Sequence, residues 1–357
     1  MEHAENGKTW WEPFDQLLIA TGALPIRPDI PGIDARRIYE LNTLQSGIEV
    51  RKAVDQEKPQ NIVIVGGGYI GLEMAESFIQ CSLDVSIIEK MPQVMSTLDP
   101  DMGALVAEAL RDSGGKLFLD ESLEGFEISR GQVRAVVTDK RSLPADLVIL
   151  ALGVRPNSAL AANAGIPTGE RGGIKVNGRM QTEVKDVWAA GNCVESFHLV
   201  SRRPFYIALG TVANKQGRVA GINIAGGSAT FPGVMGTAVA KICTVEVART
   251  GLQEKEIQQL GWPYISAKIE SQTRARYYPG TGRITVKILA EKGSGRLLGG
   301  QIVGVEGAAK RIDVLATALH AGLTVEEMIN LDLGYSPPFS PVWDPVLIAA
   351  RQAVGLV

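Results

Sequence analysis

The sequence predicts an α/β fold: a parallel sheet covered on both faces, followed by a smaller α+β unit. Three observations carry this. Ile62-Val63-Ile64-Val65 is a continuous apolar run, the pattern of a strand buried on both faces of a parallel sheet. The run ends in Gly66, Gly68 and Gly71, and Leu72, Met74, Ala75 and Phe78 then repeat at helical spacing. From about Phe231 the texture changes to alternating strands, Tyr264 to Ile269 and Ile284 to Ile288, followed by helices over 308–321 and 325–331.

The glycine spacing is GxGxxG at the junction of a strand and a helix. In that geometry one glycine makes the turn, one admits a pyrophosphate against the backbone, and one lets helix and strand pack closely, while the helix N-terminus offers free N–H groups. A second apolar run, Val85 to Ile88, ends in Glu89, 18 residues after Gly71. An acid at about that distance accepts hydrogen bonds from a ribose 2′-hydroxyl. The stretch 61–89 therefore predicts a Rossmann-like dinucleotide site. Glu89 favours NADH over NADPH by repelling a 2′-phosphate, and Lys90 beside it softens the preference, so NADPH stays open.

Taken in order, Phe14 to Ala20 reads as a buried strand running into Thr21-Gly22-Ala23 and a proline-rich connector from Pro25 to Gly32. Only a short polar segment precedes it, so the chain is expected to begin near the end of a domain. Pro100 after Asp99 starts a helix with Met102, Leu105, Val106 and Leu110 as its apolar stripe and Gly114 as its stop. Arg130-Gly131 marks a hairpin between 126–128 and 133–137. Leu147 to Leu152 is another buried strand, closed by Gly153. Thr182 to Asn192 holds a short strand ending at Gly191, and 211–225 reads as a helix rich in small residues.

With 357 residues, two or three domains are expected. The net charge of −3 gives no reason to expect nucleic acid or an anionic membrane as partner. No signal peptide is recognisable and no apolar segment reaches the ~18 residues that span a bilayer. A cytoplasmic protein is the expectation. Cys81, Cys193 and Cys243 form no CxxC pair, and His3, His198 and His320 have no partner at ligand spacing, so no metal site is expected.

The order of these pieces resembles the FAD-dependent pyridine nucleotide-disulfide oxidoreductases, and within them the branch of coenzyme A-disulfide reductases, NADH-dependent persulfide reductases and NADH oxidases. The resemblance runs along essentially the whole chain. Its motifs are Ala20-Thr21-Gly22, Gly66-Gly67-Gly68-Tyr69-Ile70-Gly71-Leu72-Glu73, Gly153-Val154-Arg155-Pro156-Asn157, Val187-Trp188-Ala189-Ala190-Gly191-Asn192, Ala213-Asn214-Lys215-Gln216-Gly217 and Tyr335-Ser336-Pro337-Pro338-Phe339.

The resemblance implies an NAD-binding domain over 35–155 inserted in a partial FAD domain, 1–34 with 156–230, and a dimerisation domain over 231–357. It puts Gly66, Gly68, Ile70 and Gly71 at the NADH pyrophosphate, Tyr69 as an aromatic gate at the nicotinamide, Glu73 near the carboxamide, and Glu89 at the ribose. FAD would be held by Ala20, Thr21, Gly22, Gly191, Asn192, Leu209, Gly210, Thr211 and Ala213, and Gly153 would be a further cofactor-binding residue.

The sequence also departs from the family. Members open with a strand, a GxGxxG turn and a redox cysteine, and none of the three cysteines matches that nucleophile. Asn192 stands where the family usually has Asp. The resemblance therefore implies a chain lacking the N-terminal FAD segment and inactive by itself. With no C-terminal His, Tyr335 and one of Tyr277 and Tyr278 would steady a thiolate in the partner's site, although Tyr277 and Tyr278 could equally be strand-end packing. The implied substrate is a small thiol, disulfide or persulfide, with coenzyme A a candidate. Lys268, Arg276, Lys310 and Arg311 could serve its phosphates or simply be solvated. An NADH oxidase and a non-catalytic NAD-binding dimeric module are the alternatives.

Overall fold

The computed structural model describes residues 7–357; residues 1–6, with His3, lie outside it. The chain forms two compact units, one holding the chain up to Leu24 together with Val154–Val234, the other Pro25–Gly153 together with Met235–Val357.

The second unit contains a five-stranded parallel sheet in the order Ile38–Glu40, Leu147–Leu150, Asn61–Val65, Asp84–Ile88, Lys116–Phe118. Side chains alternate faces along a strand, and here both faces are covered. Ile62 and Ile64 pack with Leu72, Ala75, Phe78, Met102 and Val106 on one side. Val63 and Val65 pack with Ile33, Phe126, Val133 and Val148 on the other. That is why the strand reads as an unbroken apolar run.

The helix Pro100–Asp112 starts at the expected proline, with Met102, Val106 and Leu110 buried. Leu123–Ser129 and Gln132–Thr138 form the hairpin, and Arg130 and Gly131 take φ of 53° and 73°. Two successive positive φ values make the type I′ turn that matches the twist of paired strands.

Residues 235–357 of this unit build an antiparallel sheet ordered Ala238–Ile242, Val245–Gly251, Leu297–Gly304, Arg283–Glu291, Tyr264–Gln272. Helices Ala308–Ala321 and Val325–Ile329 follow, close to the expected spans. Two further helices, Glu254–Leu260 and Pro345–Val354, belong to the same part of the chain. Asp344 caps the last by accepting from the Val346 amide at 2.9 Å. Ala240, Ile242, Val247 and Val303 of the antiparallel sheet join the core cluster that covers Ile62 and Ile64. The parallel and antiparallel parts thus share one hydrophobic core.

The first unit is smaller. Its strand Leu17–Ile19 pairs in parallel with Val187–Ala189, and nothing pairs on its other edge among the described residues. The expectation of a buried strand over 14–20 is corrected accordingly. Phe14 is 58% and Leu18 38% exposed, and only Ile19, at 3%, enters the core. With one neighbour, the strand buries one face. The helix Gly210–Ile224 packs Val219 and Ala220 against Met180 and Ala190. No helix among the described residues is long and apolar enough to cross a membrane.

Candidate functional site

The dinucleotide turn is built as its glycines require. Gly66 has φ of 109°, and a Cβ there would overlap the Ala151 carbonyl. At Gly71 a Cβ would overlap the Gly66 carbonyl oxygen, whereas at Gly68 it would meet nothing within 4 Å. The open side of Gly68 is where a pyrophosphate can approach the backbone. Gly68 is also the N-cap of the helix Tyr69–Gln80, with no side-chain cap bond, so the first-turn amides stay available to an anion. Two substitutions should separate these roles. Gly71→Ala is expected to destabilise the fold by about 1–3 kcal/mol through overpacking, read as a lowered midpoint in urea. Gly68→Ala should keep that midpoint and lose NADH binding.

Glu89 sits at the end of its strand, and its carboxylate is already engaged: Oε2 accepts from the Gly67 amide at 2.7 Å and Oε1 from the Met91 amide at 2.8 Å. Each oxygen retains a lone pair for a ribose hydroxyl. Sequence spacing placed Glu89 near the ribose but did not show that it also braces the turn.

Tyr69 is half-buried. It packs against the core cluster and its phenol lies 3.4 Å from Thr97 Oγ1. Burial raises its pKa above the ordinary phenol value, the Thr97 contact lowering it less. Ile70 and Glu73 are exposed on the same helix.

In the first unit, two glycine turns follow the carboxyl ends of the paired parallel strands, where ligands of open parallel sheets bind. Gly22 and Gly191 have φ of 72° and 89°. Thr21 and Gly22 are clasped by Asn157: Thr21 Oγ1 donates to its carbonyl at 2.5 Å, its Nδ2 donates to the Thr21 carbonyl at 3.2 Å, and its amide to the Gly22 carbonyl at 2.9 Å. The Ala190 amide bonds the Ile19 carbonyl, and the Gly191 amide donates to Oε1 of fully buried Gln216 at 2.9 Å. Gln216 belongs to the small-residue helix, whose N-cap Leu209 makes no side-chain cap bond and whose Gly210 faces open space. Ala213 lies beside Gly191.

Asn192 bears on what this region can hold. Its Oδ1 is buried with no hydrogen-bond partner, and such an atom costs about 1–3 kcal/mol unless a ligand donates to it. Its backbone carbonyl accepts from the Tyr206 hydroxyl at 2.9 Å, and burial pushes the Tyr206 pKa up to about 12. An orphaned acceptor, the open turn at Gly22 and a helix N-terminus with no side-chain cap fit a hydroxyl-rich cofactor. A cavity of about 580 Å³ lies in the same unit, lined by Lys175, Asn177, Gln181, Glu195, Ser196 and Gln216 among others. None of the expected flavin-side residues lines it.

Gly153, with φ of 89°, closes the last strand of the parallel sheet and bonds the Ile26 amide through its carbonyl at 2.9 Å. Tyr277 and Tyr278 lie in the connection between Tyr264–Gln272 and Arg283–Glu291, past the strand end where packing alone would have put them. Tyr277, 77% exposed, neighbours Tyr335, 47% exposed. Desolvation and the hydrogen bond with Tyr277 raise the Tyr335 pKa. Tyr278 is half-buried. Of the basic groups, Lys268 pairs with Asp101, Lys310 with Asp313 and Arg311 with Asp344, so those three charges are largely answered within the chain.

The cysteines offer no thiolate nucleophile beside these turns. Cys193 is fully buried, its Sγ directed at the Ala190 carbonyl at 3.3 Å. Burial raises the Cys243 thiol, and Cys81 is exposed at the C-terminal end of the helix Tyr69–Gln80.

The family model "Pyridine nucleotide-disulphide oxidoreductase" matches residues 2–217, and the dimerisation domain of the same family matches 237–345. The chain belongs to the pyridine nucleotide-disulphide oxidoreductases. These are FAD-dependent NAD(P)H oxidoreductases, so by family the chain is an enzyme, and it carries the family's dimerisation domain. It is 40% identical over 351 residues to an NAD(P)H coenzyme A polysulfide/persulfide reductase of Pyrococcus horikoshii, with 97% of this chain and 78% of that protein covered. To an NADH oxidase of Methanocaldococcus jannaschii it is 37% identical over 351 residues, covering 98% and 78%. An NAD-dependent persulfide reductase structure from A. fulgidus superposes with a TM-score of 0.93 at 40% identity, covering 96% of this oxidoreductase chain and 64% of that one. The chain thus spans about two thirds to three quarters of these relatives.

Proposed function

We propose that this oxidoreductase uses NADH to reduce a CoA-disulfide or persulfide substrate in the cytoplasm, as a homodimer joined through residues 231–357. The observation that carries the reading is the turn itself: Gly68 open to a pyrophosphate, with Glu89 braced at the strand end for a ribose. The likeness to the P. horikoshii persulfide reductase supports the sulfur substrate.

Residues 35–155 would bind NADH, and residues up to 34 with 156–230 would bind FAD. Gly66, Gly68, Ile70 and Gly71 would take the pyrophosphate, Tyr69 and Glu73 the nicotinamide end. Asn192 would accept from a ribitol hydroxyl; Ala20 to Gly22, Gly191 and the start of the helix at Leu209 to Ala213 would frame the flavin. FAD, when bound, supplies the two-electron acceptor for the nicotinamide hydride. Tyr335 and one of Tyr277 and Tyr278 would donate hydrogen bonds to a thiolate in the partner's site; the Tyr335 phenol, raised above its ordinary pKa, stays a donor at neutral pH.

The likeness to an NADH oxidase supports a second reading with oxygen as acceptor. Anaerobic and aerobic assays of the purified chain, supplied with FAD and NADH, separate the two. Faster NADH consumption with CoA-disulfide or CoA-persulfide than with oxygen supports the reductase, and the reverse order supports the oxidase. Because none of Cys81, Cys193 and Cys243 offers a thiolate nucleophile beside the glycine turns, slow turnover is expected with either acceptor.

A further inference from the structure

The stretch from Gln93 to Asp101 touches the dinucleotide turn on one side and the antiparallel sheet on the other, and the activity described above makes no use of it. On the turn side it makes three contacts. Val94 lies so close to Gly67 that a Cβ there would be 2.9 Å from its Cγ1. The Met95 amide donates to the Gly67 carbonyl at 2.8 Å, and Thr97 Oγ1 meets the Tyr69 phenol at 3.4 Å. On the other side Arg249 Nη1 donates to the Thr97 carbonyl at 3.0 Å and Gln253 Nε2 to the Ser96 carbonyl at 3.0 Å. The far end is held by Gln301, which bonds both the amide and the carboxylate of Asp99 at 2.8 Å.

We propose that Arg249 is a positioning residue for the nicotinamide end of the dinucleotide site, acting through Thr97 on Tyr69. The inference rests on the NADH reading above and adds a residue from outside the NAD-binding domain. Arg249 is 7% exposed, and its guanidinium is fixed by a second bond from Nη2 to the Gly251 carbonyl at 2.5 Å and by Glu256 at 3.7 Å. A planar fork held at two points presents its remaining donor in one direction. That donor holds the Thr97 carbonyl, so the Thr97 side chain is aimed at Tyr69, the first residue of the helix after Gly68. The pyrophosphate and ribose contacts, at Gly68 and Glu89, do not involve Arg249. A change at Arg249 should therefore be felt by the nicotinamide half of the ligand and not by the adenosine half.

The test compares NADH with ADP-ribose, which carries the adenosine, pyrophosphate and second ribose but no nicotinamide. Binding of both to the full chain is measured calorimetrically for wild type, Arg249→Met and Thr97→Val. The second variant keeps shape and backbone and removes only the hydroxyl facing Tyr69, so it remains informative should Arg249→Met fold poorly. Each variant is expected to weaken NADH about tenfold while leaving ADP-ribose within about twofold. Equal weakening of both ligands would show a general structural effect and overturn the inference, as would unchanged NADH affinity in Thr97→Val. A wild-type chain that binds neither ligand would overturn the NADH reading, and the inference with it.

Discussion

Lys287→Met is expected to cost about 3–5 kcal/mol of stability, the scale of removing one partner from a buried charge network. Lys287 is 3% exposed on the strand Arg283–Glu291, and its ammonium lies 2.8 Å from Asp101, 3.0 Å from Glu254 and 3.1 Å from Asp99, which is itself 2% exposed. Burial opposes the charge, yet the hydrogen bonds and charges of the three carboxylates raise the Lys287 pKa above its ordinary value. The substitution leaves Asp99 buried beside Glu254 with no cation.

The pH dependence follows from the signs. Lys287, raised in the fold, stabilises fully below its unfolded pKa and loses that contribution as pH rises through the folded one. Burial pushes Asp101 up, but Lys287 and Lys268 outweigh it and bring Asp101 below its ordinary value. Its contribution is therefore present above the unfolded carboxylate pKa and lost as pH falls through the folded one. Asp99 runs the other way, because burial outweighs Lys287 and leaves it raised. A raised carboxyl takes up a proton more readily folded than unfolded, so its cost fades as pH falls. The Lys287→Met deficit, measured by urea unfolding across pH, should be largest near neutrality and shrink in mild acid as Asp99 is protonated. A deficit that grows toward acid would contradict this account.

Glu89→Ala is expected to weaken NADH binding by ~1–3 kcal/mol, the scale of leaving hydrogen-bonding groups unsatisfied. Two effects combine here, since the carboxylate serves the ribose and also holds the Gly67 and Met91 amides. ADP-ribose should therefore weaken along with NADH, unlike the pattern expected for Arg249. Removing the negative charge should also narrow the gap between NADH and NADPH, because a 2′-phosphate no longer meets a carboxylate. Unchanged NADH affinity would remove Glu89 from the site.

Local chemistry was readable from the chain. The Gly66–Gly71 turn, the Pro100 helix start and the Arg130-Gly131 hairpin each depend on residues within one turn of backbone, and residue type alone limits what such a turn can do. An apolar run predicts burial only when the sheet supplies neighbours; the strand Leu17–Ile19 has one, and Phe14 lies outside it and is exposed. The network around Lys287 was invisible for another reason. Asp99 and Gln301 are 202 positions apart, and a lone Lys in an alternating strand reads as a solvated face until the partner carboxylates are folded onto it. Distance along the chain also hid Arg249, 152 positions from Thr97, and the pairing of Tyr277 with Tyr335. Likewise the resemblance that pointed to Asn192 gave no sign that its Oδ1 would be buried without a partner.

The most direct test of the central claim is an anaerobic titration of the purified chain, supplied with FAD, with NADH and separately with NADPH, followed by flavin absorbance. The account predicts that protein-bound flavin is bleached by NADH at lower concentrations than by NADPH. Flavin that binds the chain and is bleached by neither nucleotide would contradict it.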